Sequence, residues 1–191
     1  MITLKSAREI EAMDRAGDFL ASIHIGLRDL LKPGVDMWEV EEYVRRRCKE
    51  ENVLPLQIGV EGSIMDYPYA TCCSLNDEVA HAFPRHYILN DGDLLKVDMV
   101  LSEPIDKSVL DVSKLDFDNV AQVKKYTESY AGGLADSCWA YAIGTPSDEV
   151  KNLMEVTREA MYLGIEQAVV GNRIGDIGAA IQEYAESRGY G

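Results

Sequence analysis

The sequence is poor in positive charge and has no long apolar run. Its 191 residues include 19 Lys and Arg against 33 Asp and Glu, which gives a formal net charge of −14. This balance argues against nucleic-acid binding, because that binding needs clustered cations. No apolar stretch approaches the ~20 residues of a membrane span. The first residues run into a charged amphipathic pattern unlike that of a secretory leader. We therefore expect neither a nucleic-acid partner nor a membrane.

Cysteine is also scarce and follows no pairing pattern. The four cysteines are Cys48, Cys72, Cys73 and Cys138, and no two of them are spaced as C-x-x-C. Cys72 and Cys73 are adjacent, so on a strand their side chains would point to opposite faces of the sheet. The pattern predicts free thiols in a reducing compartment such as the cytoplasm, and it argues against a disulfide framework or a zinc site.

The rest of the composition is typical of a folded chain, since 47% of the residues are hydrophobic and 27% are charged. A chain of this length is enough for one domain. Capping motifs and helical periodicity predict helices near residues 7–31, 37–51, 146–170 and 175–187, the first capped by Ser6 and the third by Thr145. Strands are predicted over residues 56–60, 71–75, 94–101 and 135–143.

Two features suggest how these elements are organised. Residues 102–134 are polar and irregular, and we interpret them as an insertion with a helix near 118–130. A weak internal repeat at an offset of 137 residues places Val40 on Ile177, with a long helix before a shorter one in both copies. Any two helix pairs could look alike in this way. If the repeat is real, the sequence ends where the strands of the second copy would begin.

Two acidic residues lie within strand patterns. Asp98 shares a strand face with Lys96 and Val100, and Asp136 shares one with Cys138. An ionised carboxylate is unfavourable among apolar side chains unless it is paired or binds a metal. Two carboxylates on neighbouring strands could face one cavity and bridge two divalent cations. From spacing alone, the commoner case is that each Asp caps a turn or pairs with a Lys or Arg.

The histidines differ in their sequence surroundings. His81 is flanked by small and apolar residues and could hydrogen-bond a substrate amide or bind a metal, although a structural role is the commoner one for a single histidine. We assign structural roles to His24 and His86. Tyr67 and Cys72 could line a pocket near the same strand. A nucleophilic role for Cys72 would need a paired base, and none lies nearby in the sequence.

Four segments in order along the chain carry a more specific pattern. Residues 74–84 (SLNDEVAHAFP) fit S-x-N-D/E-x-V/I-x-H-G-x-P except at one position, and residues 89–98 (LNDGDLLKVD) fit L-x-x-G-D-I/L-V/L-x-I/V-D. Residues 135–137 (ADS) fit the pattern G-D-T/S at its last two positions. Residues 171–181 (GNRIGDIGAAI) fit G-x-x-L/I/V-x-D/E-I-G-x-A-I. Together these segments resemble the core of bacterial type I methionine aminopeptidases over nearly the whole chain except residues 102–134.

The resemblance implies an α+β fold of the pita-bread type, a single pseudo-two-fold domain over residues 1–191 whose second half is incomplete. It also implies metal-dependent removal of the initiator methionine from nascent proteins. The cofactors would be two divalent ions, of cobalt, manganese, iron or zinc, and the ribosome becomes a candidate partner. By position, Asp98 would bind one metal and Asp136 would bridge both. His81 would be the catalytic residue that hydrogen-bonds the substrate at the scissile amide, and Tyr67 and Cys72 would lie along the methionine pocket.

Three departures from the family pattern stand out. Ala82 follows His81 where the family usually has glycine, so we expect a less free backbone there. The 38 residues between the two acids exceed the short hairpin of many members, although a subset of bacterial enzymes carries such an insertion. The family also uses a later His and two Glu as ligands, and none of these can be assigned. We therefore expect the 191-residue chain to be a truncated form that is inactive or nearly so.

Two other functions stay open. The first is another peptidase of the same fold, such as a proline-specific one, although those usually carry a large additional N-terminal domain. The second is a non-catalytic binding module that kept the fold and lost its metals. Retention of Asp98, Asp136 and His81 argues against the second.

Overall fold

The computed structural model of the chain describes residues 4–191 and has an α+β architecture, as expected. It divides into two compact units, Met1–Gly144 and Thr145–Gly191. The elements in chain order are α1 (Ala7–Leu30), α2 (Trp38–Glu51), β1 (Cys72–Leu75), β2 (Leu94–Ser102), a 3₁₀ turn (Val112–Lys114), α3 (Val120–Thr127), β3 (Leu134–Ala142), α4 (Asp148–Glu166) and α5 (Ile174–Ser187).

Helices α1 and α2 begin close to where their capping motifs predict. The Ser6 side chain accepts a hydrogen bond from the Glu9 amide, and the Glu9 carboxylate accepts one from the Ser6 amide at 2.7 Å, so the capping box is complete. At α2, the Asp36 carboxylate accepts from the Trp38 amide at 3.1 Å. Gly34, with φ of +94°, makes the turn between the helices that glycine allows without strain.

The sheet is antiparallel, and β2 lies between β1 and β3. Alternation along β2 separates its two faces, since Val97, Met99 and Leu101 are fully buried whereas Asp98 is only partly so. The buried face belongs to one hydrophobic core with the apolar sides of α1 and α2. Each large aliphatic side chain buried there contributes roughly 1.5–3 kcal/mol. The opposite face, which carries Asp98, lies outside this core and is partly exposed.

Two local predictions were wrong. Residues 56–60 form a turn rather than a strand, because Gly59 has φ of +90°, but Leu56 still donates a backbone hydrogen bond to Val100 of β2 at 2.9 Å. The cap of α4 is Ser147 rather than Thr145. The Ser147 hydroxyl accepts from the Val150 amide at 3.2 Å, so the helix begins two residues later than predicted.

The interpreted insertion, residues 102–134, contains the expected helix as α3. Its start is held by Asn52, which ends α2 with φ of +57°. The Asn52 amide group donates to the carbonyls of Ile105 (2.6 Å) and Leu110 (2.8 Å), and its oxygen accepts from the Val112 amide at 2.8 Å. One buried side chain therefore satisfies three backbone groups of this segment.

The second unit is a pair of helices in which α5 packs against α4. A side chain at Gly164 would collide with Ile181, so the two helices approach closely there. Both units thus carry a long helix followed by a 14-residue one, as the internal repeat predicts. Among the helices within residues 4–191, none is both long enough and apolar enough for a bilayer crossing.

His24 is structural, as expected, and lies buried between α1 and β3. Its ring stacks on Trp139 with 4.7 Å between centroids. Nδ1 lies 2.8 Å from the Tyr141 hydroxyl, and Nε2 lies 3.3 Å from the Ser137 carbonyl. Burial first, and then the nearby Arg28, lowers the pKa of His24 from 6.5 to about 4, although the Ser137 carbonyl opposes the change.

This burial predicts a pH dependence of stability. The unfolded chain takes up a proton near pH 6.5 and the folded chain near pH 4. The contribution of neutral His24 is therefore full above 6.5 and is lost as the pH falls toward 4, by up to about 3 kcal/mol. In urea unfolding at pH 7.5, 5.5 and 4.5, we expect His24→Gln to flatten this decline. His86→Gln removes an exposed imidazole that pairs with Asp36 at 2.7 Å, and it should not flatten the decline, because loss of this pair lowers stability at acidic pH. Parallel profiles for the wild type and His24→Gln would contradict the assignment.

Candidate functional site

The two predicted acids lie on the same face of the sheet. Asp98 is opposite Cys138 in the β2–β3 ladder, and Asp136 is opposite Val100. Opposed residues share a face and successive residues alternate, so both carboxylates project from the face away from the core. They are diagonal neighbours, which in sheets generally lie about 7–8 Å apart at the Cα atoms. The structure thus brings Asp98 and Asp136 together on one surface, one half-buried and the other exposed.

The electrostatics show that the two side chains interact. Burial raises the pKa of Asp98, and the negative charge of Asp136 raises it further. The charge of the His81 imidazole and the Met99 amide oppose this rise in the pKa of Asp98. Two like charges at this separation destabilise each other unless a cation lies between them. Such an arrangement is typical of a metal site.

His81 is exposed and has φ of +59°, in the left-handed region. This conformation is uncommon for a residue other than glycine, although histidine adopts it more often than most. The expected backbone problem at Ala82 does not arise, because the described residues with positive φ include His81 and not Ala82. Instead, the Ala82 carbonyl accepts from the Cys73 amide at 2.9 Å, so this segment lies along β1 and presents His81 beside the sheet.

Tyr67 and Cys72 meet beside Asp98. Cys72 is opposite Asp98 in the β1–β2 ladder and is 2% exposed. The Tyr67 hydroxyl donates to the carbonyl of Thr71, the residue before Cys72, at 3.0 Å. The Tyr67 ring packs against Phe83 with 5.2 Å between centroids. Tyr67 and Phe83 thus pack together near Cys72, which lies opposite Asp98 in the ladder.

Gln57 was not identified from the sequence. Its Nε2 lies 3.1 Å from the Cys72 sulfur, and its Oε1 accepts from the Val100 amide at 3.4 Å. Gln57 therefore contacts β1 at Cys72, which lies opposite Asp98, and β2 at Val100, two residues after Asp98. A single polar residue in the apolar run 54–60 is the available signal, but the pattern of that run predicts a strand.

Other motif residues hold the backbone rather than face the site. The Asn76 amide group donates to Asp93 at 3.0 Å, and its oxygen accepts from the Leu94 amide at 2.9 Å. Asn76 itself has φ of +51°. These two polar residues of the motif close the connection between β1 and β2, which explains why both occur in the pattern.

Glu41 is a second residue that sequence reasoning missed. It is fully buried in α2 and accepts from the Ala70 amide at 2.8 Å and the Thr71 hydroxyl at 2.6 Å. Arg45, one turn later, donates to Glu41 at 2.5 Å and balances its charge. This pair fixes the segment that enters β1 and so helps to place Cys72. A helical i, i+4 Glu–Arg pair is too common in sequences to have indicated this.

Comparison with known proteins decides the family. The model of metallopeptidase family M24 matches residues 11–102 and 125–191. The chain belongs to metallopeptidase family M24. Over its whole length it is 33% identical to a methionine aminopeptidase of Clostridium acetobutylicum, of which it covers 64%. A solved methionine aminopeptidase from Streptococci is 87% identical with a TM-score of 0.93, and the chain covers 67% of it. One from Thermotoga maritima is 31% identical with a TM-score of 0.79 and is covered to 64%.

These M24 relatives confirm the resemblance and the pita-bread fold. The chain spans about 64% of the length of the curated relatives it matches. The M24 match skips residues 103–124, which lie within the interpreted insertion. All four cysteines are free, as predicted. Within residues 4–191, no group of three or more His, Cys, Asp or Glu side chains is arranged to hold a metal ion.

The interaction between the two acids predicts the effect of removing one of them. A carboxyl whose pKa is raised by folding weakens the fold as the pH rises through that pKa. In EDTA-treated protein, Asp136→Asn should lower the pKa of Asp98. Carboxyl ¹³C NMR measures this pKa. Asp136→Asn should also increase the free energy of unfolding at neutral pH by a few tenths to about 1 kcal/mol. Asp14→Asn, the same charge change on α1, should leave the pKa of Asp98 unchanged. An unmoved Asp98 titration in Asp136→Asn would show that the carboxylates do not interact.

Proposed function

We propose that this M24 protein removes the N-terminal methionine of polypeptides by metal-dependent hydrolysis. The observation that carries the proposal is the carboxylate pair, Asp98 and Asp136, on the outer sheet face beside His81. The methionine aminopeptidases to which the chain is similar support this choice of reaction and substrate. Nascent chains carry this methionine, so the proposal extends to a cytoplasmic reaction near the ribosome.

The residues present fit a divalent cation as part of its ligand set. Carboxylate oxygens are preferred ligands of hard divalent cations, and a cation would relieve the repulsion that raises the pKa of Asp98. In the proposal, Asp98 would hold one of two ions of cobalt, manganese, iron or zinc, and Asp136 would be a ligand shared by both. Bound ions of this type acidify water and polarise a carbonyl group.

The protein's own groups would act on the substrate around these ions. His81, exposed beside Asp98, would donate a hydrogen bond at the scissile amide and orient it. Tyr67 and Cys72 would line the pocket for the methionine side chain, with Phe83 packed against the Tyr67 ring. A thioether is an apolar and adaptable side chain, so it suits contact with aromatic rings and a thiol.

The proposal predicts weak metal binding and low activity for the 191 residues alone. Two carboxylates are few ligands for two ions, and the later His and two Glu of the family have no assigned counterparts in this sequence. We therefore propose that these residues alone bind metal weakly and release methionine slowly, if at all. Residues 102–134 remain, in this proposal, an insertion into one pita-bread domain.

Metal binding can be measured on the chain as it is. In a calorimetric titration with Mn²⁺, we expect weak binding, with a dissociation constant on the order of 10⁻⁴ to 10⁻³ M. Asp98→Asn and Asp136→Asn should each abolish the heat, and Asp14→Asn should leave it intact. Absence of heat in the wild type, or equal heat in Asp98→Asn, would favour a non-catalytic binding module.

Substrate choice is tested by the release of the first residue from Met-Ala-Ser and from Ala-Pro-Ser. We expect the 191-residue chain with Mn²⁺ to release methionine at or near the background rate. Any release above background should require metal, fall to background in His81→Ala, and exceed release from Ala-Pro-Ser. Rapid EDTA-sensitive turnover by this chain would contradict the low activity predicted above. Preference for Ala-Pro-Ser would favour a proline-specific peptidase.

A further inference from the structure

The interpreted insertion touches the loop that carries the pocket side chains. Residues 57–67, termed here the pocket loop, begin with Gln57, whose side chain contacts Cys72, and end with Tyr67, whose hydroxyl bonds the adjacent Thr71 carbonyl. The loop is closed by two backbone hydrogen bonds of 2.8 Å, from Gly59 to the Tyr67 carbonyl and from Tyr67 to the Val60 carbonyl. Its ends are therefore held together, and any shift of the loop would move both pocket side chains.

Helix α3 packs directly on this loop. A side chain at Gly59 would lie 2.7 Å from the Lys124 Cβ and 2.9 Å from its Cα, so the loop and helix backbones are in close contact. The Lys124 ammonium lies 2.8 Å from the Asp66 carboxylate, and the Thr127 hydroxyl donates to the Ile58 carbonyl at 3.1 Å. Helix α3 thus bonds to the pocket loop near both ends of the loop, at Ile58 and at Asp66.

A second connection reaches the residue after the loop. Arg45 donates to Asp118, just before α3, at 2.6 Å and to the Pro68 carbonyl at 3.2 Å. Arg45 is also the partner of buried Glu41, so it is fixed in place. The insertion and α2 therefore hold the chain on both sides of Tyr67.

We propose that α3 positions the substrate pocket, with Lys124 and Thr127 as positioning residues that keep Gln57 and Tyr67 beside the start of β1. The pocket role of Tyr67 and Cys72 rests on the proposed function. The support of the loop by α3 does not, because it follows from contacts within residues 57–72 and 118–127. The consequence is that changes on α3, outside the carboxylate face, alter access to Cys72.

Accessibility of Cys72 to alkylation reports the position of the pocket loop without any need for catalysis. Cys138 is exposed, so the measurement uses Cys138→Ser as background. N-ethylmaleimide is the probe, and fragment-ion mass spectrometry separates Cys72 from its neighbour Cys73. Cys48, which is fully buried in α2, serves as the internal reference. The matched variants are Lys124→Ala, Lys124→Arg and Lys125→Ala, since Lys125 is exposed on the same helix.

We expect Lys124→Ala to raise the Cys72 alkylation rate by about threefold to fivefold, as the loss of a partly exposed ion pair allows. Lys124→Arg should keep the wild-type alkylation rate, because the arginine side chain can still reach Asp66. Thr127→Val should act like Lys124→Ala, and Thr127→Ser should act like the wild type. Gln57→Ala is the positive control. Equal rates in Lys124→Ala and Lys125→Ala, or faster labelling of Cys48 in step with Cys72, would overturn the proposal, because the second result indicates general unfolding.

A protection experiment separates this inference from the proposed function. In the Cys138→Ser chain, L-methionine should slow the alkylation of Cys72, and L-alanine at the same concentration should not. Lys124→Ala should weaken that protection by the same factor by which it raises the alkylation rate. If Lys124→Ala changes the rate but methionine gives no protection, the support of the loop stands and the methionine pocket is wrong. If methionine protects but Lys124→Ala has no effect, the positioning role of α3 is wrong.

Discussion

The register between β2 and β3 is the constraint on which the site depends. Side chains alternate between the two faces of a strand, so a slip of one residue would exchange Asp98 with a core position. Val97, Met99 and Leu101 are fully buried, and their burial keeps Asp98 on the outer face. Packing of the hydrophobic core therefore fixes the position of the Asp98 carboxylate, although Asp98 is not part of that core. The same reasoning applies to Asp136, because Tyr141 occupies the buried face of β3.

The polar network around the sheet has a supporting role. Asn76 and Asp93 close the connection into β2, whereas buried Glu41 holds the segment that enters β1. These residues keep Cys72, Asp98 and their neighbours in line across three strands. At the carboxylate pair, like charges lie together and the pKa of Asp98 is raised, which opposes stability. Local violation of favourable electrostatics is expected where a protein binds a cation.

The first unit contains all five residues that the sequence predicts for the site, namely Tyr67, Cys72, His81, Asp98 and Asp136. Family M24 membership and the pita-bread fold agree with this arrangement, and the chain covers 64% of its curated relatives. The segment that the M24 match skips, residues 103–124, leads into α3 beside the pocket loop. A family pattern alone could not give that segment a role, because the pattern does not include it. The ion pairs of two of its residues, Lys124 with Asp66 and Asp118 with Arg45, suggest one.

The sequence by itself determined the helices, three of the four proposed strands and the free thiols, and it predicts a role for the two acids, because capping, periodicity and motif spacing are local properties. It failed at residues 56–60, where the positive φ of Gly59 turns an apolar run that looks like a strand. Tertiary structure alone decided that Asp98 and Asp136 share a face, that Gln57 reaches Cys72, and that α3 contacts the pocket loop. These contacts join residues 15 to 69 positions apart, and no local pattern encodes such pairings. They arise only when burial of the common core fixes the register and the packing.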